Sequence, residues 1–352
     1  MKPRLGLLVY ATTTGLGYQT KSFYDNLNPT KTLLVDLSQY NGMPLNHGWY
    51  PNARYCSGFP KTEDIEWFTT DIDVILECET PLNYGLHKIA SDKNVKVVQL
   101  YNREFLDYFR NPQWAKPALL ASPTSWCLEE VQQLNIAPTE ILRQPIDLSV
   151  IPYREISHLE TFVHIVGRPT VHDRNGTVAF LEAANFLGSK FKYKIYYQEP
   201  QDERAKEFFQ PVKDVMNRFD GLAEVVVDCP DNKAMYESGE VLVLPRRYGG
   251  LCLPMLEALS AGMPVIMPDI SPNGDLLPKE WLCEASFGFT YKAHTDWDIY
   301  DVNVMSLANT MRRFEEDSEM QWGNRHALKL ARSQSWETLK PVWEQRLCEL
   351  CQ

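Results

Sequence analysis

The segment from Pro245 to Ile266 combines residue types that suit the binding of an anion. Gly249 and Gly250 follow an apolar strand pattern, and glycines at this point allow the backbone to come close to a ligand. Pro254 favours the first turn of a helix, whose free N–H groups attract negative charge. Glu257 falls about one turn into that helix, where its carboxylate either accepts hydrogen bonds from ligand hydroxyls or caps a tight turn. The spacing alone leaves both roles open.

Two arginines follow a second apolar strand pattern, Phe162 to Val166. Arg168 comes directly after Gly167, and Arg174 lies within the stretch Asp173 to Gly176. The carboxyl ends of parallel strands are the places where open α/β sheets bind their ligands. Arginines in loops are often simply solvated, so these two need the support of a second motif.

The two motifs together resemble the donor site of family-4-type glycosyltransferases (glycosyl transferases group 1). The family signature reads Pro-Ser-x-x-Glu-Gly-Phe-Gly-Leu-Pro-x-x-Glu-Ala, followed by Gly-x-Pro-Val-Ile. Gly249 stands where the signature has its first Glu, and Cys252 where it has its second Gly. The stretch around Arg168 and Arg174 is similar to the family's Gly-Arg-Leu…Lys-Gly segment, with Arg in place of Lys. The residues that match the signature in register are Pro245, Gly250, Leu253, Pro254, Glu257, Ala258, Gly262, Pro264, Val265 and Ile266.

The resemblance implies a role for each of these residues. Arg168 and Arg174 are expected to bind the diphosphate of a nucleotide-sugar donor, because guanidinium groups form bidentate contacts with phosphate. Glu257 is expected to hold the ribose, and these three are the predicted catalytic residues. The loop is expected to contact the donor through Gly249, Gly250, Leu251, Cys252 and Leu253.

The amino-terminal half carries weaker similarities to the same family. Gly15, Gly17 and Tyr18 follow the first strand pattern, where the family approaches the donor phosphate and the acceptor with a glycine loop. Asn102 and Arg103 follow the fourth strand pattern, where family members often place a His near the reacting carbon. These residues complete the predicted substrate-binding set.

The elements that must position these residues alternate between strands and helices, which is typical of parallel βαβ units. Glu77 and Glu79 end the third strand, where they either face a ligand or serve as buried or capping carboxylates. A turn is predicted at 14–17 before a helix at 19–26, loops at 40–60, a surface turn at 296–298, and mostly helix from about 302 onwards. Strands are predicted at 5–10, 31–36, 74–77, 95–100, 119–121, 162–166, 194–197, 223–227, 241–244 and 264–267.

The predicted fold class is α/β of the GT-B type, with two Rossmann-like, doubly wound parallel-sheet domains that face a central cleft. Because 352 residues exceed what one hydrophobic core usually supports, two domains are the natural expectation. The acceptor-side domain is predicted at 1–155 and the donor domain at 156–330. Residues 331–352 are predicted to form a helix that returns to the first domain, since Ser335-Trp336-Glu337 resembles the family's carboxyl-terminal Ser-Trp-Glu.

Composition excludes some classes of function. The net charge of −11 argues against broad, non-specific binding to nucleic acid or to anionic membranes. No apolar run approaches the ~18 residues of a membrane span, so no transmembrane segment is predicted. The eight cysteines are scattered, and the single C-x-x-C pair, Cys348 and Cys351, lacks the second pair of a zinc site. Free thiols and a cytoplasmic location are therefore expected.

The resemblance implies a retaining hexosyl- or pentosyltransferase. Such an enzyme moves a sugar from a nucleotide-diphosphate sugar to the hydroxyl group of a saccharide or other acceptor, without a metal ion or other cofactor. Asp71-Ile72-Asp73 and Asp296-Trp297-Asp298 have the Asp-x-Asp spacing of a metal site. They are better interpreted as the approach to a strand and as a surface turn.

Three alternatives remain open. The loss of the first signature Glu favours a non-catalytic relative that binds nucleotide sugars or glycans. A dehydrogenase is supported only by Asp36, because the stretch from Gly15 to Thr20 is not G-x-G-x-x-G. A hydroxymethylpyrimidine base in DNA is the alternative acceptor, and it requires a basic groove lined by aromatic residues. The candidates for that groove are Arg103, Arg110, Lys116, Tyr101, Tyr108, Phe109 and Trp114.

Overall fold

The computed structural model describes residues 2–38, 43–79, 81–200, 203–292 and 295–352. The chain divides into two compact units, of which unit 1 comprises Met1–Pro145 with Trp336–Gln352, and unit 2 comprises Ile146–Ser335. The divisions therefore lie at 145/146 and 335/336, whereas the sequence placed them at 155/156 and 330/331. The reason is packing, because Ile151 and Ala331 are buried in the core of unit 2.

Unit 1 is built on a parallel sheet. In the described residues its strands lie in the order β3-β2-β1-β4-β5-β6-β7. They are β1 (Leu5–Val9), β2 (Lys31–Val35), β3 (Arg54–Cys56), β4 (Val74–Glu79), β5 (Lys96–Tyr101), β6 (Leu119–Ser122) and β7 (Thr139–Ile141). The helices of this unit are α1 (Gly15–Leu27), α2 (Thr62–Thr69), α3 (Tyr84–Asp92), α4 (Leu128–Gln133) and α11 (Trp336–Leu350).

Helices cover both faces of this sheet, which explains why β1 is apolar throughout instead of alternating. Leu7 packs in a core that includes Phe23 of α1 and Trp343 of α11, and Leu8 packs on the opposite face. The ring of Phe23 lies 4.9 Å from that of Trp343. The carboxyl-terminal helix α11 is thus part of the core of unit 1.

Unit 2 repeats this arrangement with its own sheet. In the part of the chain that the structure describes, the parallel strands lie in the order β10-β9-β8-β11-β12-β13. The strands are β8 (Thr161–Gly167), β9 (Lys192–Tyr197), β10 (Glu224–Val227), β11 (Val241–Val243), β12 (Val265–Pro268) and β13 (Leu282–Cys283). The helices are α5 (Thr177–Leu187), α6 (Glu203–Arg218), α7 (Asn232–Glu237), α8 (Leu253–Ser260), α9 (Val304–Arg313) and α10 (Asp317–Ser333).

Both sheets have a topological switch point, where successive strands depart in opposite directions from a central strand. In unit 2 this point lies between β8 and β11, and in unit 1 between β1 and β4. Ligands of doubly wound sheets bind beside the carboxyl ends of the strands at such a point. The loops that follow β8 and β11 carry Arg168, Arg174 and Gly249, so the switch point of unit 2 positions the predicted donor residues.

The strands predicted from the sequence are all present, but three features differ from the prediction. Helix α1 begins at Gly15 and includes the residues that were expected to form a turn. Residues 40–42 of the predicted loop stretch lie outside the described residues, and Arg54–Cys56 of the same stretch forms β3. An antiparallel hairpin of β14 (Ala285–Tyr291) and β15 (Trp297–Val302) was not predicted. Short 3₁₀ helices span His47–Trp49, Arg103–Arg110, Val171–Asp173, Gly188–Lys190, Asn273–Asp275 and Lys279–Trp281.

Candidate functional site

The loops that follow β8 and β11 are joined by direct hydrogen bonds. The backbone N–H of Arg247 donates to the carbonyl oxygen of Arg174 over 2.8 Å. The hydroxyl of Tyr248 donates to the carbonyl oxygen of Val171 over 2.9 Å. Gly176, with φ +71°, lies so close to Pro245 that an added Cβ would come within 2.7 Å of the Pro245 carbonyl carbon. The two loops therefore form one continuous surface at the switch point.

Gly249 is the position at which two guanidinium groups of this surface converge. Its φ of +114° favours glycine. A Cβ built on Gly249 would lie 2.6 Å from Nη2 of Arg246 and closer still to Nη2 of Arg174. Arg246 is buried, and its Nη1 donates to the carbonyl oxygen of Leu251 over 2.9 Å. The space that a side chain would occupy here is taken by positive charge, where the family signature has a carboxylate.

Arg174 retains hydrogen-bonding capacity at this position. Its guanidinium lies over the ring of Tyr248, with 5.2 Å between Cζ and the ring centroid. Among the described residues, the buried Nε of Arg174 has no hydrogen-bond partner. An unpaired buried donor on a charged group costs free energy, and an anion that accepts its hydrogen bond removes that cost.

The start of helix α8 adds backbone donors to the site. Pro254 lies in its first turn, and within the described residues the side chain of Cys252 makes no capping hydrogen bond. Helix α5 differs, because the carboxylate of Asp173 accepts hydrogen bonds from the N–H groups of Thr177 and Val178, both over 2.9 Å. Of these two helix starts, that of α8 is therefore the one open to an external anion. Cys252 itself is buried, whereas Gly250, Leu251 and Leu253 are half-buried.

Glu257 lies in α8, and its carboxylate is directed toward α7. Its Oε1 accepts a hydrogen bond from Nδ2 of Asn232 over 3.2 Å, and its Oε2 accepts one from the hydroxyl of Tyr236 over 2.5 Å. Burial raises the pKa of Glu257, and these two hydrogen bonds partly oppose the effect. Neither predicted arginine hydrogen-bonds with Glu257 in the described part of the chain. Glu257 thus lies at the same edge of the sheet as the arginines, but its hydrogen bonds are with α7, the helix that follows β10.

Arg168 is exposed and follows Gly167, which has a φ of +60°. Arg168 directly follows the end of β8, the strand that pairs with β11 at the switch point. The structure therefore brings Arg174 and Gly249 into contact, places Arg168 at the end of the adjoining strand, and places Glu257 one helical turn beyond the loop.

The predicted glycine loop of unit 1 is the first turn of a capped helix. The side chain of Thr14 accepts a hydrogen bond from the N–H of Gly17 over 3.2 Å. An added Cβ on Gly17 would lie 3.0 Å from the carbonyl carbon of Thr12, so glycine is required there by close packing. Gly15 has open space around it, and the ring of Tyr18 packs 5.4 Å from that of Trp49. A close backbone contact inside the unit thus explains Gly17 without a ligand.

Asn102 and Arg103, which the sequence predicts to bind substrate, directly follow β5. Asn102 is half-buried and precedes the 3₁₀ helix Arg103–Arg110. Arg103 is buried, with its Nε 3.9 Å from a carboxylate oxygen of Glu130.

Glu77, in β4, is fully buried. Its carboxylate accepts a hydrogen bond from the N–H of Leu82 and pairs with Nε2 of His87 at 2.8 Å. The alternative of a buried carboxylate is therefore the correct one for Glu77.

Three of the seven residues proposed for a DNA groove are buried, namely Tyr101, Arg103 and Phe109. Tyr101 and Phe109 belong to a buried core cluster with Leu106. Arg103 is buried as well, so it does not belong to an exposed basic surface. Arg110 is exposed and pairs with Asp107 at 3.1 Å, and Tyr108 is exposed.

Two contributors to this surface are not predicted from the sequence. Arg246 was not recognised, although it lies in the signature segment. Trp297 was interpreted as part of a surface turn, whereas it begins β15 and stacks on Tyr248 with 5.6 Å between the ring centroids. The alternation of Trp297 and buried Ile299 with exposed Asp298 is a period-two signal that predicts a strand.

No protein-family model matches this chain, and no curated protein sequence matches it. Solved structures do share its architecture. HepE from Anabaena, solved in complex with UDP, has a TM-score of 0.72 at 9% identity, over 98% of this chain and 99% of that chain. Sucrose-phosphate synthase from Thermosynechococcus elongatus has a TM-score of 0.70 at 12% identity over 98% of both chains. A glycosyltransferase from Rickettsia africae has 0.67 at 10% identity, over 99% of this chain and 98% of that chain.

At these identities the similarity establishes the fold, and this chain has two Rossmann-like units of the GT-B type. Within the described ranges, no three or more His, Cys, Asp or Glu side chains are grouped as a metal ion would require. The helices in those same ranges include none with the length and apolar character needed to cross a membrane.

Proposed function

We propose that this chain is a glycosyltransferase that moves a hexose or pentose from a nucleoside-diphosphate sugar to a hydroxyl group of an acceptor. The observation that carries the proposal is the meeting of Arg174 and Arg246 at Gly249, beside the uncapped start of α8. A diphosphate fits this combination, since it accepts hydrogen bonds from guanidinium and backbone N–H groups at the same time.

The reaction places its largest charge change on the leaving diphosphate. The bond between the anomeric carbon and the diphosphate oxygen breaks, the acceptor oxygen bonds to that carbon, and the hydroxyl proton is released. Donors already directed at the diphosphate stabilise the charge that develops on it. In this proposal Arg174 and Arg168 supply guanidinium donors, the first turn of α8 supplies N–H groups, and Glu257 accepts hydrogen bonds from the ribose.

The structural neighbours support the choice of donor. HepE from Anabaena has been solved with UDP and with UDP-glucose, and it covers nearly the whole of this chain. We further propose that the anomeric configuration is retained, that no metal ion or other cofactor takes part, and that the enzyme acts in the cytoplasm. The proposed acceptor is a saccharide or another small hydroxyl compound, bound by unit 1.

A non-catalytic binding protein is the second candidate. The observation that favours it is Gly249, because a guanidinium pair replaces the carboxylate of the signature at that position. Such a protein binds the nucleotide sugar but leaves its glycosidic bond intact. Turnover, rather than binding, separates the two candidates.

The proposal is tested by calorimetric titration of UDP, GDP and ADP into the wild-type protein, Arg174→Ala and Arg325→Ala. Arg325 is an exposed arginine on α10 and is the control for a change of one charge. Loss of charge-assisted hydrogen bonds worth about 1.5–3 kcal/mol predicts a roughly 10- to 100-fold weaker affinity for Arg174→Ala. The control is expected to bind as the wild type does.

Turnover is then followed by chromatography with UDP-glucose, GDP-mannose and ADP-glucose, each with and without a panel of saccharides. Release of the nucleoside diphosphate supports the enzyme, and tight binding without release supports the non-catalytic relative. If none of the three diphosphates binds to the wild-type protein, the proposed function is wrong.

A further inference from the structure

The β14–β15 hairpin packs against the two loops that carry the arginines. Nε of Arg247 donates to the carbonyl oxygen of Tyr300 over 2.9 Å, and Nη2 pairs with the carboxylate of Asp301 at 2.5 Å. Nη1 of the same arginine donates to the carbonyl oxygen of His172 over 2.8 Å. The guanidinium of Arg247 thus connects β15 to the loop after β8. The backbone N–H of Arg247 donates to the carbonyl oxygen of Arg174 in the same loop.

Aromatic rings extend this contact from the hairpin to Arg174. The ring of Trp297 is stacked on that of Tyr248 with 20° between their planes, and the guanidinium of Arg174 lies over the same Tyr248 ring. Tyr291 of β14 packs 5.7 Å from Trp297 and 4.6 Å from His172. The rings therefore form a continuous cluster that reaches from the hairpin to His172 and to Arg174.

Trp297 is held in this cluster by ring contacts. In the described part of the chain, its buried Nε1 has no hydrogen-bond partner. A stacked ring supports Tyr248 in one plane, and the plane of Tyr248 determines where the planar guanidinium of Arg174 rests. Removing Trp297 frees Tyr248 to tilt, and Arg174 then loses the surface that fixes its orientation.

We infer that Trp297 is a positioning residue for Arg174, and that the β14–β15 hairpin thereby sets the affinity of unit 2 for the diphosphate of the donor. This inference rests on the proposed function, because it takes Arg174 to be a diphosphate ligand. Trp297 acts through Tyr248 and does not itself contact the donor.

The test is a double-mutant cycle between Trp297 and Arg174. Whichever of UDP, GDP and ADP binds the wild-type protein most tightly is titrated into Trp297→Leu, Arg174→Ala and the double variant. Aromatic pairs of this kind predict an affinity about three- to tenfold weaker for Trp297→Leu. In the Arg174→Ala background the same change is expected to have no further effect, because the residue being positioned is absent.

Two variants separate positioning from general damage to the fold. Trp297→Phe keeps a stacking ring and is expected to restore most of the affinity. Trp322→Ala removes another partly exposed tryptophan of unit 2, on α10, and is expected to bind as the wild type does. If Trp297→Leu does not fold, Tyr248→Leu is used instead, because the Tyr248 ring contacts both Trp297 and Arg174. Tyr248→Phe, which keeps the ring, is its control.

The outcomes are distinct. Equal affinity of Trp297→Leu and wild type, with a weakened Arg174→Ala, overturns the inference and leaves the proposed function intact. An equal loss in both backgrounds also overturns it, since a purely structural effect does not depend on Arg174. If no nucleoside diphosphate binds to the wild-type protein, the proposed function fails and the inference fails with it.

Discussion

The guanidinium of Arg174 lies over the ring of Tyr248, with 5.2 Å between Cζ and the ring centroid. The hydroxyl of Tyr248 is bonded to the carbonyl oxygen of Val171, three residues before Arg174. Tyr248 therefore holds both the backbone and the side chain of the loop after β8. These two contacts join the loops that follow β8 and β11 and hold the guanidinium of Arg174 beside Gly249.

Replacement of Arg174 by Lys tests whether charge alone is sufficient. Lysine keeps the positive charge but has neither the planar face that lies on Tyr248 nor the fork that binds two phosphate oxygens. We expect the affinity of Arg174→Lys for the nucleoside diphosphate to fall about tenfold, between the affinities of wild type and Arg174→Ala. Calorimetric titration measures this, and a Lys variant that binds as tightly as wild type contradicts the role given to the guanidinium.

Gly249→Ala is expected to damage both stability and binding. The φ of +114° is strained for any side chain, which costs about 1–3 kcal/mol, and the new Cβ displaces the guanidinium groups of Arg174 and Arg246. Gly188→Ala is the control, since Gly188 also has a positive φ, of +71°, but open space around it. Thermal unfolding and titration together should show lower stability in both variants and weaker binding only in Gly249→Ala. Unchanged binding in Gly249→Ala argues against a ligand at this position.

His164 is expected to remain neutral well below neutral pH. Its Nδ1 donates to the carbonyl oxygen of Val243 over 2.8 Å, and its Nε2 lies 3.0 Å from the hydroxyl of Thr177. Burial lowers the pKa of His164 to about 4. Because the unfolded chain has a pKa near 6.5 at this residue, protonation favours the unfolded state. His164 should therefore contribute about 3 kcal/mol to the free energy of unfolding at pH 7. This contribution should be lost as the pH falls from about 6.5 through about 4.

The measurement for His164 is NMR titration of the ring carbon in histidine-labelled protein. The native signal should stay at its neutral shift between pH 8 and pH 5, whereas the denatured protein titrates over that range. A native midpoint near 6.5 is incompatible with a buried link between β8, β11 and α5.

The Glu77–His87 pair is expected to stabilise unit 1. Both side chains are fully buried, and removing one member leaves the other without its hydrogen-bond partner. We expect Glu77→Ala to lower the free energy of unfolding by about 2–4 kcal/mol, because the buried N–H of Leu82 and the ring of His87 both lose their hydrogen-bond partner. Glu66→Ala removes an exposed carboxylate that pairs with Lys93 and should change it by less than about 1 kcal/mol. Denaturant unfolding of both variants gives the comparison, and equal effects contradict the role given to the buried pair.

Much of the fold follows from the sequence because several strands of the two parallel sheets are mostly apolar runs. Leu5–Val9 and Thr161–Gly167 are predicted as strands for this reason. Strand β3 was missed because Arg54–Cys56 is a three-residue edge strand in a stretch with many turn-forming residues. The start of α1 was misplaced because glycines usually indicate a turn, whereas Gly17 is required here by its contact with Thr12.

The candidate site was only partly predictable for a related reason. Arg174, Gly249 and α8 lie in motifs whose spacing is local in sequence. The contact of Trp297 with Tyr248 joins residues far apart in the chain, and a single sequence contains no signal for that pairing. The same holds for the bond of Glu257 with Tyr236, which turns the carboxylate toward α7.

The most direct test is a crystal structure of the protein with the nucleoside diphosphate that binds it best. We expect phosphate oxygens within about 2.7–3.2 Å of the Arg174 guanidinium and of the first free N–H groups of α8. A diphosphate bound away from Gly249, with no contact to Arg174, would contradict the account.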